Sequence, residues 1–98
     1  MPYGLSDSAI EQISAVFKRF PSIERVVIYG SRAKGHFKNG SDIDLCLVGK
    51  SLDQSTLLQV AVELDELLLP YTFDLSIHHK LTNKDLLSYI DRVGLPFY

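Results

Sequence analysis

The chain is expected to fold as an α/β protein, reading α-β-α-β-α along its length. Helical stripes alternate with short β-branched runs, apolar residues make up 46% against 22% charged, and 98 residues supply one hydrophobic core. A second core would need a longer chain, so residues 1–98 are read as one domain.

Each element has a local cause. Ile10, Ile13, Phe17 and Phe20 recur at helical spacing behind Ser6 or Ser8 as N-cap. If Ser6 is the cap, Leu5 and Ile10 form a hydrophobic staple, and Pro21 closes the helix. Arg25 to Tyr29 is too short for a helix, rich in β-branched residues and bounded by Gly30, which predicts an interior strand. A loop rich in glycine and charge leads to a second strand, Ile43 to Val48. Leu57, Ala61, Leu64 and Leu68 then form a helical stripe that stops at Pro70. Tyr71 to His78 reads as the third strand. Thr82 with Asp85 three residues on predicts the start of a last helix, with Leu86, Ile90 and Val93 buried and Gly94 at C′.

Composition excludes several function classes. No apolar run approaches the roughly 18 residues of a membrane span, and the start MPYGLSDS lacks the basic and apolar regions of an export signal, so a cytoplasmic protein is expected. Cys46 is the only cysteine and sits in an apolar run, which suits a small buried hydrophobe in a reducing compartment. Ten Lys and Arg stand against twelve Asp and Glu, interspersed, for a net charge of −2. Direct nucleic-acid binding is therefore not expected, and an anionic ligand must be held by local donors or by a bound cation.

Two segments carry chemistry. In a strand, Asp42 and Asp44 share one face about 6.5–7 Å apart, where their repulsion is roughly 2–3 kcal/mol at an effective dielectric near 20. A cation or donors must offset that. Asp74 has the same parity on the third strand, and three converging carboxylates would suit Mg²⁺, which completes its shell with waters and substrate phosphates. Gly30-Ser31 ends the first strand just before a possible helical turn, a place for a phosphate on backbone N–H groups and the Ser31 hydroxyl. Arg32 and Lys34 would add neutralising charge if turned inward, and are otherwise plain surface charge. Gly30 and Gly35 match the glycines of a Walker A loop, but His36 and Phe37 stand where that loop needs Lys and then Ser or Thr, so a P-loop is rejected. His78 and His79 point to opposite faces of a strand and do not share an ion. The five tyrosines show no ladder interleaved with basic residues and are assigned to core or rim.

Gly30-Ser31, ten intervening residues and Asp42-Ile43-Asp44, within the wording GSRAKG and SDIDL, resemble the minimal nucleotidyltransferases of the DNA polymerase β-like superfamily. The likeness runs over nearly the whole chain, from the apolar strand before Gly30 through Asp74 to the Val93-Gly94 turn. It implies a polymerase β-like nucleotidyltransferase core, a small mixed sheet of three to four strands packed with helices, in which Asp42 and Asp44 bind two Mg²⁺ ions and Asp74 the catalytic one. It implies further that Gly30 and Ser31 hold the β- and γ-phosphates of ATP or another NTP. Asp74 is the candidate to assist deprotonation of the acceptor hydroxyl.

The resemblance also implies a partner, because minimal nucleotidyltransferases often pair, as antitoxins, with a helical HEPN toxin, and some transfer AMP to a tyrosine of that toxin. With room only for a catalytic core, the acceptor is expected to come from elsewhere. Two alternatives stand beside this: a non-catalytic antitoxin that neutralises a helical partner by occlusion, and transfer to a small-molecule hydroxyl across a homo-oligomer interface.

Overall fold

Ser6 opens the first helix, α1 (Asp7–Lys18), its hydroxyl accepting the Ala9 N–H at 3.1 Å. Leu5 is fully buried and Ile10 packs into the same core, the staple expected from that cap. The computed structural model describes residues 2–38 and 40–98. Three strands follow the expected runs: β1 (Arg25–Tyr29), β2 (Ile43–Val48) and β3 (Phe73–Ile77). A single turn of helix, α2 (Ser31–Lys34), follows β1, and α3 (Gln54–Glu66) carries the chain from β2 to β3. The last helix, α4 (Lys84–Val93), runs into a two-residue strand, β4 (Leu95–Pro96). The sheet order is β3-β2-β1-β4, with β1 antiparallel to β2 and to β4, and β2 parallel to β3. The parallel pair needs a crossover, which α3 supplies.

Strand parity divides the sheet into two faces. Val26, Ile28, Ile43, Leu45, Leu47 and Ile77 point one way and form the main core with Ile13 and Phe17 of α1 and Val60 and Leu64 of α3. Val27, Tyr29 and Cys46 point the other way, beneath Leu86, Tyr89, Ile90 and Val93 of α4. Cys46 is buried and free, as its apolar context predicts, and burial pushes its thiol pKa up. Among the described residues no helix is long and apolar enough to cross a membrane.

Several expectations need correction at element ends. The first helix stops at Lys18 with Arg19 as C-cap, before Pro21 is reached. The third strand ends at Ile77, and His78–Lys80 form a 3₁₀ turn. Asn83, not Thr82, caps α4, its side-chain oxygen accepting the N–H groups of Asp85 and Leu86 at 3.0 and 3.1 Å. Gly94 is not left-handed: with φ −66° and ψ 143° it turns the chain directly into β4, a strand the sequence reading omits. Glycine is required there by space, since a Cβ would overlap Val27 Cγ1 and the Ile90 carbonyl oxygen.

Leu68 departs most from its expected place. It does not continue the buried stripe of α3 but lies just past the helix, 89% exposed, with φ +56°. The left-handed conformation costs an L-residue about 1–2 kcal/mol, of which glycine's greater unfolded-state freedom returns about half. Leu68→Gly is therefore expected to stabilise the protein by about 0.5–1 kcal/mol in urea unfolding, with the m-value unchanged.

Candidate active site

The site is built where β1 gives way to α2. Gly30 takes φ +77° and ψ −156°, a conformation that only glycine adopts without strain, and caps α2 at its N-terminal side. A Cβ at this position would overlap Asp44 Oδ2, so the Asp44 carboxylate lies directly against the Gly30 backbone. Gly35, at φ +79°, closes the turn, with its N–H and that of His36 returning to the Arg32 and Ser31 carbonyls. The opening N–H groups of such a turn have no acceptor within it and point outward from the bend.

Register supplies the acids. Asp44 is the cross-strand partner of Tyr29 on β1 and of Asp74 on β3, which sets all three side chains on the α4 side of the sheet. Asp42 precedes β2 by one residue and shares Asp44's parity. Asp42 and Asp74 are exposed, while Asp44 is half-buried between them. Its carboxyl is held above the usual range first by desolvation, then by the negative charges of Asp74 and Asp42. The Tyr29 phenol is raised by burial, with a smaller contribution from Asp74 and Asp44, against the lowering influence of neighbouring Ser76.

Among the described residues no three metal-ligating side chains already close into a cage. The three aspartates line one surface as neighbours instead. That arrangement fits Mg²⁺, which takes one or two carboxylates and reserves the remaining positions for water and phosphate oxygens. The destabilised charge on Asp44, held against the Gly30 backbone, is the feature that a divalent ion would satisfy.

The two candidate cations part company. Arg32 is neither surface charge nor free to meet a phosphate. It is 3% exposed, and its guanidinium donates to the Ser41 and Tyr3 carbonyls. Lys34 is exposed, with Nζ 5.2 Å from the centre of the Tyr89 ring. That ring meets Tyr29 edge-on at 6.4 Å, so α4 reaches the rim of the site through Tyr89. Tyr29 and Tyr89 therefore belong to the wall beside the acids, a role that single-residue patterns cannot show because it depends on which strands and helix come together. The adjacent histidines diverge: His78 Nε2 lies 3.4 Å from Asp91 Oδ1, and His79 Nε2 lies 2.9 Å from the Leu52 carbonyl oxygen. A cavity of about 460 Å³ on the same face is lined by Arg25, His78, Asp91 and Leu95, among others, and by none of the three aspartates.

The polymerase β nucleotidyltransferase family model matches residues 11–98. No curated protein sequence matches the chain. Among solved structures, a toxin–antitoxin complex with AMP-PNP contains a chain 20% identical to this one, at a TM-score of 0.75, covering 91% of this chain and 72% of that one. The complex of a tri-AMPylated Shewanella oneidensis HEPN toxin with an MNT antitoxin is similar at 17% identity and a TM-score of 0.70, over 96% and 72%. A MntA–HepT toxin–antitoxin complex follows at 17% identity and 0.69, over 95% and 72%. At such identities these likenesses are likenesses of fold. The family match spans the glycine bend, both aspartate-bearing strands and the helix over them, and the chain accordingly belongs to the polymerase β nucleotidyltransferase family.

Proposed function

We infer that this protein transfers a nucleoside monophosphate, AMP from ATP, to a hydroxyl of a protein partner in a Mg²⁺-dependent reaction. The partner is a helical toxin of the HEPN type, the acceptor is one of its tyrosines, and the modification makes this chain an antitoxin. The observation that carries the reading is the position of Asp44, wedged between the Gly30 backbone and its in-register neighbour Asp74. Family membership supports the reaction class, and the similar folds bound to AMP-PNP or to an AMPylated toxin support the nucleotide and the partner.

Asp42 and Asp44 would hold two Mg²⁺ ions, with Asp74 joining them at the acceptor side. When bound, these ions supply the positive charge that lets a triphosphate approach the acids and that stabilises the leaving pyrophosphate. Gly30 lets the phosphate chain approach the backbone, and Ser31 donates its hydroxyl to a phosphate oxygen. Asp74 takes the proton of the acceptor hydroxyl as that oxygen attacks the α-phosphorus, and the bond to the β-phosphate oxygen breaks. Lys34, exposed at the rim beside Tyr89, faces incoming negative charge without entering the acidic cluster.

Incubation with α-labelled ATP, Mg²⁺ and a HEPN-type helical protein that binds this chain is expected to label that partner and not this chain. No label on a folded, bound partner would overturn the reading. One observation favours occlusion as a second reading: Leu58 and Val62 stand exposed one turn apart on α3, at 58% and 59%, with their backs to the core. The Asp42→Ala, Asp44→Ala protein separates the two, because neutralisation of the toxin survives it under occlusion and is lost under catalysis.

Asp44 also predicts a pH dependence. Its folded pKa lies above its unfolded value, so without metal its contribution to stability declines as pH rises from the ordinary carboxylate range through the raised value. Above that window, metal-free Asp44→Asn is expected to melt a few degrees higher than wild type, and below it the two converge. Mg²⁺ should raise the melting temperature of wild type above the window and leave the Asn variant unmoved. Calorimetric scans across pH, with Mg²⁺ and with EDTA, check both signs.

A further inference from the structure

Among the described residues Arg32 is the one charged side chain withdrawn from solvent, at 3% exposure. It makes no ion pair with any described residue. Nε and Nη2 donate to the Ser41 carbonyl at 3.1 and 2.9 Å, and Nη1 donates to the Tyr3 carbonyl at 2.9 Å. The centres of the Phe37 and Tyr71 rings lie 5.3 and 5.2 Å from Cζ. Such a place demands a planar fork with donors on its edge and flat faces for rings, which a lysine ammonium lacks.

The partners matter for what they adjoin. Arg32 follows Ser31 in α2. The Ser41 carbonyl belongs to the peptide bond that leads into Asp42. Tyr71 precedes Thr72, whose carbonyl accepts the Ile43 N–H at 2.9 Å, and Asp74 comes two residues later. One buried cation thus ties the glycine bend's own helix to the carbonyl just before the first aspartate and to the segment entering the strand of the third. Because carbonyl oxygens and ring faces take up its charge, it does not pair with the carboxylates and leaves their negative charge for a metal.

We propose that Arg32 is a positioning residue, which fixes the Gly30-Ser31 bend against the ends of β2 and β3 and so sets the divalent-ion affinity of Asp42, Asp44 and Asp74 without contacting nucleotide. This rests on the metal-dependent reading above. Groups that orient metal ligands from behind typically contribute about 10- to 100-fold in metal affinity.

The test compares wild type, Arg32→Lys and Tyr71→Leu by amide hydrogen exchange and by titration with Mn²⁺ alone, followed by its electron spin resonance. Arg32→Lys is expected to accelerate exchange at residues 41–44 and 72–74 while α1 and α3 keep their protection, and to weaken Mn²⁺ binding about tenfold. ATP binding at saturating Mn²⁺ should stay within about twofold, since on this view the side chain does not touch phosphate. Tyr71→Leu, which keeps the arginine and removes one ring, should shift exchange and Mn²⁺ binding in the same direction by less. A uniform rise in exchange over the whole chain would make Arg32 an ordinary core residue, and weakened ATP binding at saturating Mn²⁺ with unchanged Mn²⁺ affinity would make it a phosphate ligand. Either result overturns the proposal. Failure of wild type itself to take up Mn²⁺ would instead overturn the metal reading beneath it, whereas uptake that is equal in wild type and Arg32→Lys overturns the clamp alone.

Discussion

Crowded negative charge at one end of the sheet is the constraint that organises this molecule. The β2–β3 register fixes Asp44 beside Asp74, and the alternation of the strand adds Asp42 to the same side. Neither contact can relax by rotation alone, because Asp44 is also confined by the Gly30 backbone. A fold with no use for this arrangement would gain by losing one of the acids. In a sheet whose other face is filled by a continuous apolar core, that crowding fits a place where stability is given up for the proposed chemistry.

The two faces divide the labour. Helices α1 and α3 cover one side with the main core, which holds β1, β2 and β3 in register. Helix α4 covers the second face only in part, through a smaller cluster around Cys46, Ile90 and Tyr29. The acidic end lies past that cluster, near enough to Tyr29 for burial to be felt at Asp44 and far enough for Asp42 and Asp74 to remain in water. Partial cover suits the metal-dependent site proposed above: desolvation enough to strengthen charge interactions, and exposure enough to admit a polyphosphate.

Much of this was legible from one chain because it depends on short-range pattern. Val26-Val27-Ile28-Tyr29 could be little other than a buried strand, and the parity of Asp42, Asp44 and Asp74 follows from the two-residue repeat. The misreadings have a common physical origin in element ends, where one hydrogen bond decides between neighbours. Asn83 outcompetes Thr82 because its longer side chain reaches two N–H groups at once. Leu68 fits the apolar stripe by number yet falls after the helix has ended, so its side chain goes to solvent. Strand β4 is invisible for a different reason: two residues carry no period, and only the glycine that lets α4 end against Val27 puts them beside β1.

Arg32 shows most clearly where a local reading stops. A cation one residue beyond a Gly-Ser bend invites a phosphate contact, and the charge balance of the neighbourhood encourages the same conclusion. What decides the matter is long-range: Tyr3 and Ser41 present carbonyl oxygens from positions 29 and 9 residues away, and Phe37 and Tyr71 close over the guanidinium. Had the same cation turned to Asp42 or Asp44, it would have formed an ion pair and removed the charge that attracts a divalent ion. Holding it by neutral oxygens and aromatic faces keeps the architecture of a cationic clamp while leaving the acids unsatisfied. A site built this way has its geometry set before any ligand arrives, and what remains open to a ligand is the charge.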